Sequence, residues 1–415
     1  MSGGDRVGAL VVAALPAELA AAKTAASLRS PVGAGVVRWE KRAAGTSVPY
    51  WWGEYRAEDG GSIPVALACP TGMGSRMTGP LATILLDRLR PSCVAMCGVC
   101  AGNPSDVALG DVVVAELTYE WDEGKHSRCG FQGDHRQIPA DPRLLQVAQD
   151  LDPTRLPSFG EASPDEAMWW LLERLNQGQD PRQHPALRRY FPIGTWAPGL
   201  DRFENTGLIA RDPDGTVRLT EAGGNLIRRR IYDDVEGPQR LPYRVLVGPM
   251  ASGSAVMSDG RIWTSLQAMG VRTITAVDVE AATIATIAHS QNVPWLVVKG
   301  VMDHAGIGKD DRYKAFAARA SAEVMYALLT QVPRNGTPDA HHGPAGTLPT
   351  SRATTTSRRD DPPRAALEAK RPTDKMTMTP GEIEKLVGPL PRSARVHRAQ
   401  WGDDTKVQAQ RWPGN

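Results

Sequence analysis

The stretch from Ala276 to Ala305 constrains the fold more than any other. Its first part, Ala276-Val-Asp-Val-Glu-Ala-Ala282, reads as a short strand running into a helix, with Glu280 near the join. Its second part is an apolar strand, Pro294 to Val301, that ends on a carboxylate, Asp303. Acids at the carboxyl ends of two strands of one sheet stand where open α/β sheets bind ligands. Taken singly, Glu280 would be an acid starting a helix and Asp303 a cap on the next element. Further segments upstream tip the balance toward a site.

Arg6 to Ala14 is a continuous apolar run, as a buried first strand requires. Leu15-Pro-Ala-Glu18 then turns into an Ala-rich helix reaching about Ser27, Pro16 suiting a first helical turn. Glu18 therefore stands just past a central strand. Strands are expected over Trp39 to Tyr55, with Trp51 and Trp52 near the exposed end, and over Ile63 to Ala68. Cys69-Pro-Thr-Gly-Met-Gly74 leads into a helix from Ser75 to Leu89. A turn carrying glycines such as Gly72 and Gly74 lets backbone N–H groups face an oxygen-rich ligand. It has neither the Lys-Ser/Thr of a P-loop nor a full dinucleotide fingerprint. Ser92 to Cys97 and Leu109 to Glu116 are further strands, and Tyr119 to Lys125 reads as an exposed, mixed-charge continuation. Strands alternating with helices in this way make an α/β fold with a parallel or mixed sheet.

From about Pro142 the character changes, and five regions are expected: residues 1–150 and 243–332 as two parts of one α/β domain, 151–242 as an insert, 333–375 as a disordered linker and 376–415 as a small C-terminal module. The insert holds helical segments at Glu166 to Leu175 and Pro185 to Tyr190, then Leu200 to Ile209, an Asp-Gly turn ending at Gly215, and Leu219-Thr-Glu-Ala-Gly223. That order looks like a small winged helix. From Leu200 on, only Arg202, Arg211 and Arg218 precede Arg228-Arg-Arg230, so a structural or protein-contact role is expected over DNA binding. A long helix, Asp311 to Thr330, packs on the resumed sheet, and the module carries an amphipathic stretch from Gly381 to Val387.

Bulk properties exclude little else. A length of 415 residues suits one main domain with appendages, and 41% hydrophobic with 23% charged residues is ordinary for a globular protein. A net charge of +2 gives no warrant for a nucleic-acid or membrane role. No apolar run reaches the ~20 residues of a membrane span, and no signal peptide is read, so a cytoplasmic protein is expected. The five cysteines, Cys69, Cys93, Cys97, Cys100 and Cys129, fit reduced thiols better than a disulfide framework. Cys97-Gly-Val-Cys100 has no second Cys/His pair nearby to hold zinc. No ligand cluster implies a metal or an organic cofactor.

Four segments in order, Ala14-Leu-Pro-Ala-Glu18, Thr71-Gly-Met-Gly74, Gly248-Pro-Met-Ala-Ser-Gly253 and Val277-Asp-Val-Glu280 with Met302-Asp303, resemble the purine nucleoside phosphorylase/nucleosidase superfamily, which includes the methylthioadenosine/S-adenosylhomocysteine nucleosidases. The resemblance covers about residues 6–130 and 243–330. It implies a three-layer fold around a twisted mixed sheet and a homo-oligomer. By it, Asp303 protonates or hydrogen-bonds the purine N7, Glu280 holds the ribose hydroxyls, and Glu18 activates the attacking water. Val256 and Met257 fall where backbone groups read the adenine edge. Val279 stands for the Met of the superfamily's Met-Glu pair, and Gly72, Gly74 and Gly98 lie on turns against the substrate.

The departures also carry meaning. Phosphorolytic members hold phosphate with an Arg and a Ser where this chain has Met96 and Val99. Losing a cationic fork and a hydroxyl favours hydrolysis over phosphorolysis. Cys97-Gly-Val-Cys-Ala-Gly102, Asp122-Glu-Gly-Lys125 and Lys299-Gly-Val-Met-Asp303 are also similar to phosphorylase-like effector domains of bacterial defence systems, some of which cleave adenine from ATP. That narrower likeness would make Arg76, Lys125, His126 and Lys309 phosphate contacts, against solvated surface charge as the ordinary explanation. Together these features imply a purine nucleosidase acting on an adenine nucleoside or nucleotide. The alternatives are a catalytically idle nucleotide sensor and a phosphate-dependent phosphorylase.

Overall fold

The computed structural model describes residues 6–27, 34–57, 60–128, 130–184, 186–233, 237–271, 273–306 and 311–331, together with 376–378 and 407–409. The chain divides into two units, residues 1–338 and 339–415.

In the first unit the strands and helices follow in the order β1 (Ala9–Val12), α1 (Pro16–Ala25), β2 (Gly35–Val36), β3 (Glu40–Arg42), β4 (Tyr50–Arg56), β5 (Ser62–Ala68), α2 (Ser75–Leu89), β6 (Cys93–Gly102) and β7 (Val112–Glu120). A hairpin of β8 (Gly124–Ser127) and β9 (Gly130–Gly133) follows, then β10 (Ile138–Pro139) and α3 (Pro142–Asp150). Next come α4 (Pro164–Asn176), α5 (Leu187–Tyr190), α6 (Trp196–Asn205), the β11 (Ile209–Arg211) and β12 (Val217–Leu219) pair, and α7 (Glu221–Asp233). The α/β pattern returns with β13 (Val245–Ser252), α8 (Arg261–Ala268), β14 (Ala276–Asp278), α9 (Ala281–Ser290), β15 (Trp295–Asp303) and α10 (Lys314–Leu329).

The result is an α/β fold built on a mixed central sheet. β1 lies parallel between β5 and β6. β15 runs parallel to β6 and antiparallel to β7. β13 is parallel to both β7 and β14, and β14 returns antiparallel to β6. Thus β6, β15, β7, β13 and β14 close on themselves, and the β1 half of the sheet extends outward from β6.

Strand periodicity explains the layers. Leu10, Val12, Val94 and Met96 face one core with Leu81, Leu85 and Leu89 of α2 and Ile284 and Ala288 of α9. The alternate residues, Ala9, Val11, Cys93, Ala95 and Cys97, face the other core with Ala22 of α1, Leu144 of α3 and Phe316 and Ala320 of α10. Side chains two apart share a face, so each apolar run feeds both cores and the sheet is covered on both sides.

Between α3 and β13, α4 to α7 gather around Trp170, Leu171, Phe191, Leu200, Phe203 and Ile209. The flanks of this segment pack elsewhere: Leu156, Phe159, Leu241 and Tyr243 join the α10 core. Glu323 of α10 accepts from the Ser158 backbone N–H at 2.8 Å and its hydroxyl at 3.0 Å.

Several boundaries differ from the sequence expectation. Trp39 to Tyr55 is two antiparallel strands, β3 and β4, because Ala43 and Gly45 adopt positive φ and reverse the chain. The helix expected to reach Ile209 stops at Asn205, since Gly207 at φ +74° ends it and Ile209 opens β11. Of the expected exposed continuation, Tyr119 to Lys125, Tyr119 and Glu120 belong to β7 and Tyr119 is buried, while Glu123 to Lys125 are exposed. α8 went unread, its eight residues being short and preceded by a glycine turn. In the second unit, β16 (Met376–Met378) and β17 (Val407–Ala409) pair antiparallel. The stretch Gly381 to Val387 and the expected linker lie outside the described residues. Among the described residues, no helix is long and apolar enough to cross a membrane.

Candidate active site

Four strand ends meet around a cavity of about 310 Å³. β1 delivers Ala14 and, one helical turn later, Glu18. β13 leads into Ala255, Val256 and Met257. β14 delivers Asp278 and Glu280, and β15 ends on Met302 and Asp303. Trp121, just past β7, completes one wall.

Glu18 is held by backbone alone. Its Oε2 accepts from the N–H groups of Ala14 at 2.9 Å and Leu15 at 3.0 Å, and its Oε1 from Val99 at 2.8 Å. The carboxylate therefore ties the start of α1 to β6 and is only 3% exposed. Gly98 makes this possible: a Cβ there would lie 2.3 Å from Glu18 Oε1. Gly98→Ala is therefore expected to displace Glu18, costing about 1–3 kcal/mol as an overpacked site. Chemical denaturation checks the stability, and ligand turnover should fall by more than that loss of stability explains.

Glu280 starts α9. Its Oε1 accepts from the Gly74 N–H at 2.7 Å, and its Oε2 lies 3.6 Å from Lys299 Nζ. Lys299, fully buried inside β15, stands 3.1 Å from Asp278 Oδ2. Asp278 also accepts from the Ser252 hydroxyl at 2.7 Å and from the Ala281 N–H. Burial raises the pKa of Glu280 above the usual carboxylate value; Lys299 opposes that rise and Asp278 adds to it. Burial pulls the Lys299 pKa down, but Asp278, then Glu280 and Glu18, more than reverse it. Lys299 is thus a fixed cation between two acids. Asp303 Oδ1 accepts from the Ala305 N–H at 2.8 Å, and the residue is 6% exposed.

The residues singled out from sequence divide cleanly. Glu18, Glu280, Asp303, Val279, Val256 and Met257 all line the cavity. Gly98 sits behind Glu18, and Val99, at the position that lacks the phosphate-binding Ser, is in the wall. The Gly74 N–H, expected to face a ligand oxygen, is bonded to Glu280 instead. Gly72 and Arg76 are not in the wall, Arg76 being exposed on the first turn of α2. Lys125 and His126 are not in the wall either: they lie on the exposed β8–β9 hairpin, where the His126 ring packs 5.0 Å from Phe131. Lys309 and Cys129 lie outside the described residues. Cys97 and Cys100 are buried, and burial pushes the Cys97 thiol up to about 12, so neither offers a ready thiolate. Among the described residues no group of acids, histidines and cysteines has the arrangement of a metal site.

Sequence reasoning missed Asp278, Lys299, Ser252, Trp121 and Lys314. One signal was available: a lysine inside a nine-residue apolar strand stays charged there only if acids face it.

Other proteins resemble this chain in sequence. Over 265 residues the chain is 25% identical to a 5′-methylthioadenosine/S-adenosylhomocysteine nucleosidase of Mycobacterium bovis, an overlap of 62% of this chain and 78% of that one. The chain is thus similar to nucleosidases of the nucleoside phosphorylase/nucleosidase superfamily. It is also 23% identical over 273 residues to an uncharacterised protein, y4jS of Sinorhizobium fredii. The chain spans half the length of that relative, and the overlap takes 64% of this chain. Solved structures similar to this chain include a 5′-methylthioadenosine/S-adenosylhomocysteine nucleosidase from Neisseria meningitidis (13% identity, 78% of this chain and 99% of that one, TM-score 0.46) and an S-adenosylhomocysteine nucleosidase from Streptococcus pyogenes (14%, 80% and 100%, TM-score 0.47). Residues 364–415 match a family described as a domain of unknown function, DUF7662. That match begins inside the stretch expected to be linker.

Proposed function

We propose that this chain hydrolyses the N-glycosidic bond of an adenine nucleoside or nucleotide and releases free base. The observation that carries the reading is the convergence of Glu18, Glu280 and Asp303, from three separate strand ends, on one cavity. The sequence similarity to the nucleosidase relatives supports it.

Cleavage of this bond needs an acid at the base and a positioned nucleophile at C1′. Asp303 gives a proton to purine N7 as the C1′–N9 bond breaks, so the base leaves neutral. Glu280, held from one side by the Gly74 N–H and from the other by Lys299, grips the ribose hydroxyls as the sugar becomes oxocarbenium-like. Glu18 takes a proton from water, whose oxygen forms the new bond at C1′. Val279, Val256 and Met257 give the apolar walls for the base and sugar. Met96 is buried and Val99 offers no hydroxyl, so the place of the phosphate grip holds no charged or hydroxyl side chain. We read the reaction as hydrolysis for that reason.

Two forms of the substrate differ at the ribose 5′ carbon. A methylthio or homocysteinyl group would suit an apolar wall such as Met73 and Leu15. A triphosphate would be met by Lys314, the one lysine or arginine lining the cavity among the described residues, with Asp311 3.9 Å from it. Cytoplasmic placement, a homo-oligomer and an effector role in defence against phage belong to the same proposal.

The sugar product tests the reaction class. Incubation with methylthioadenosine and with ATP, with and without inorganic phosphate, is expected to yield the free sugar in every productive case. A sugar 1-phosphate that forms only when phosphate is present would replace the hydrolase by a phosphorylase. Binding of these ligands without turnover would favour a sensor.

A further inference from the structure

The backbone after Asp303 is strained and tightly tethered. Ala305 has φ +56°, a left-handed conformation that costs a non-glycine residue about 1–3 kcal/mol and survives only where neighbours over-determine it. Its N–H is bonded to Asp303, and its carbonyl accepts from the Gly260 N–H at 2.6 Å. The His304 carbonyl accepts from Trp263 Nε1 at 3.0 Å. The His304 ring is fixed twice: Nδ1 lies 2.8 Å from the Gly102 carbonyl, so it carries the proton, and Nε2 faces Arg174 Nη1 at 3.3 Å.

Arg174 comes from α4, outside the stretches that resemble the superfamily. It is fully buried, and its Nη1 also stands 3.4 Å from His184 Nε2. Burial first, and Arg174 next, lower His304 to about 3 and His184 to about 4, so at neutral pH the guanidinium is the one charge of the three. The preceding residue, Glu173, makes a buried ion pair with Arg312 and accepts from the Tyr313 hydroxyl at 3.5 Å. Arg312 and Tyr313 sit between Asp311 and Lys314, which line the cavity. A well-capped helix carries both residues: Ser163 and Glu166 form a capping box at its start, with Pro164 in the first turn.

We propose that Arg174 and Glu173 are positioning residues for the nucleosidase site, one bracing Asp303 through His304 and the other bracing the Asp311–Lys314 edge through Arg312. The proposal rests on the nucleosidase reading of the cavity. It gives the insert a purpose: whatever shifts α4 shifts both edges of the site at once.

Three variants separate these roles. Arg174→Met is expected to lower kcat by about 10–100-fold, the scale of a small misplacement of a reacting group, with KM little changed. Arg174→Lys should restore part of it. Glu173→Gln should act mainly on KM. Amide hydrogen exchange gives a readout that does not depend on activity: in Arg174→Met the amides of Ala305 and Gly260, bonded to Asp303 and to the Ala305 carbonyl, should lose protection while those of β1 and β5 keep theirs. Unchanged protection at Ala305 and Gly260 would overturn the bracing, whatever the kinetics. Wild-type kcat in Arg174→Met would overturn it too. If the wild type releases no base from any nucleoside, the nucleosidase reading fails, and the exchange data still decide the bracing on their own.

Discussion

Asp303→Asn is expected to slow release of the base by about 10²–10⁴-fold, the usual worth of one positioned general acid. An amide is nearly isosteric with the carboxyl. Its carbonyl oxygen can still accept the Ala305 N–H bond that Asp303 Oδ1 accepts at 2.8 Å, so the loop should keep its shape. What is lost is the proton for N7. Adenine, which needs a hydrogen bond and apolar walls more than a proton, should still bind the variant by calorimetry. A variant that turned over normally would remove Asp303 from the mechanism; one that also lost adenine binding and thermal stability would make it a structural acid.

Lys299→Met should be the most destabilising single change near the site. The lysine is 0% exposed and faces Asp278 at 3.1 Å and Glu280 at 3.6 Å. Removing one partner of a buried ion pair costs about 3–5 kcal/mol, because the other charge stays buried without compensation. The direction with pH follows from the shifts. Lys299 has its pKa raised in the fold, so its pairing stabilises throughout the range below the ordinary lysine value of 10.5 and is lost only as pH climbs past it. Glu280 has its pKa raised as well, so the fold prefers its protonated form, and ionising it as pH rises costs stability. Without Lys299 to oppose burial, that pKa should climb further. If Glu280 must be ionised to hold ribose, the acid limb of the activity profile moves to higher pH in Lys299→Met. Chemical denaturation and a pH–rate profile read both effects. A double variant with Asp278→Asn should be less destabilised than the sum of the single changes, since it removes a carboxylate along with its counter-ion.

Much of the scaffold was legible because its strands are continuous apolar runs with helices between them. Arg6 to Ala14, Ser92 to Cys97 and Pro294 to Val301 contain the described strands β1, part of β6 and most of β15. The acids were legible too, since each stands at the end of such a run. What sequence could not show is how strands far apart in the chain pair. Asp278 and Lys299 lie on strands that both neighbour β6, so their ion pair depends on the order of the sheet rather than on local pattern. The same holds for Arg174, which reads as an ordinary charge in an amphipathic helix until α4 is placed against His304. Other charged residues stand apart from the cavity wall. Arg76, Lys125 and His126 look like phosphate contacts in the linear sequence, but the helix and hairpin that carry them turn them to solvent.

The central claim, that this cavity hydrolyses an adenine N-glycosidic bond, is tested most directly by chromatography of the products. Purified protein would be incubated in phosphate-free buffer with methylthioadenosine, S-adenosylhomocysteine, adenosine and ATP, beside an Asp303→Asn control. Free adenine from at least one of them, reduced at least a hundredfold in the control, is the expected result. No adenine from any of the four, or equal release by the control, would contradict it.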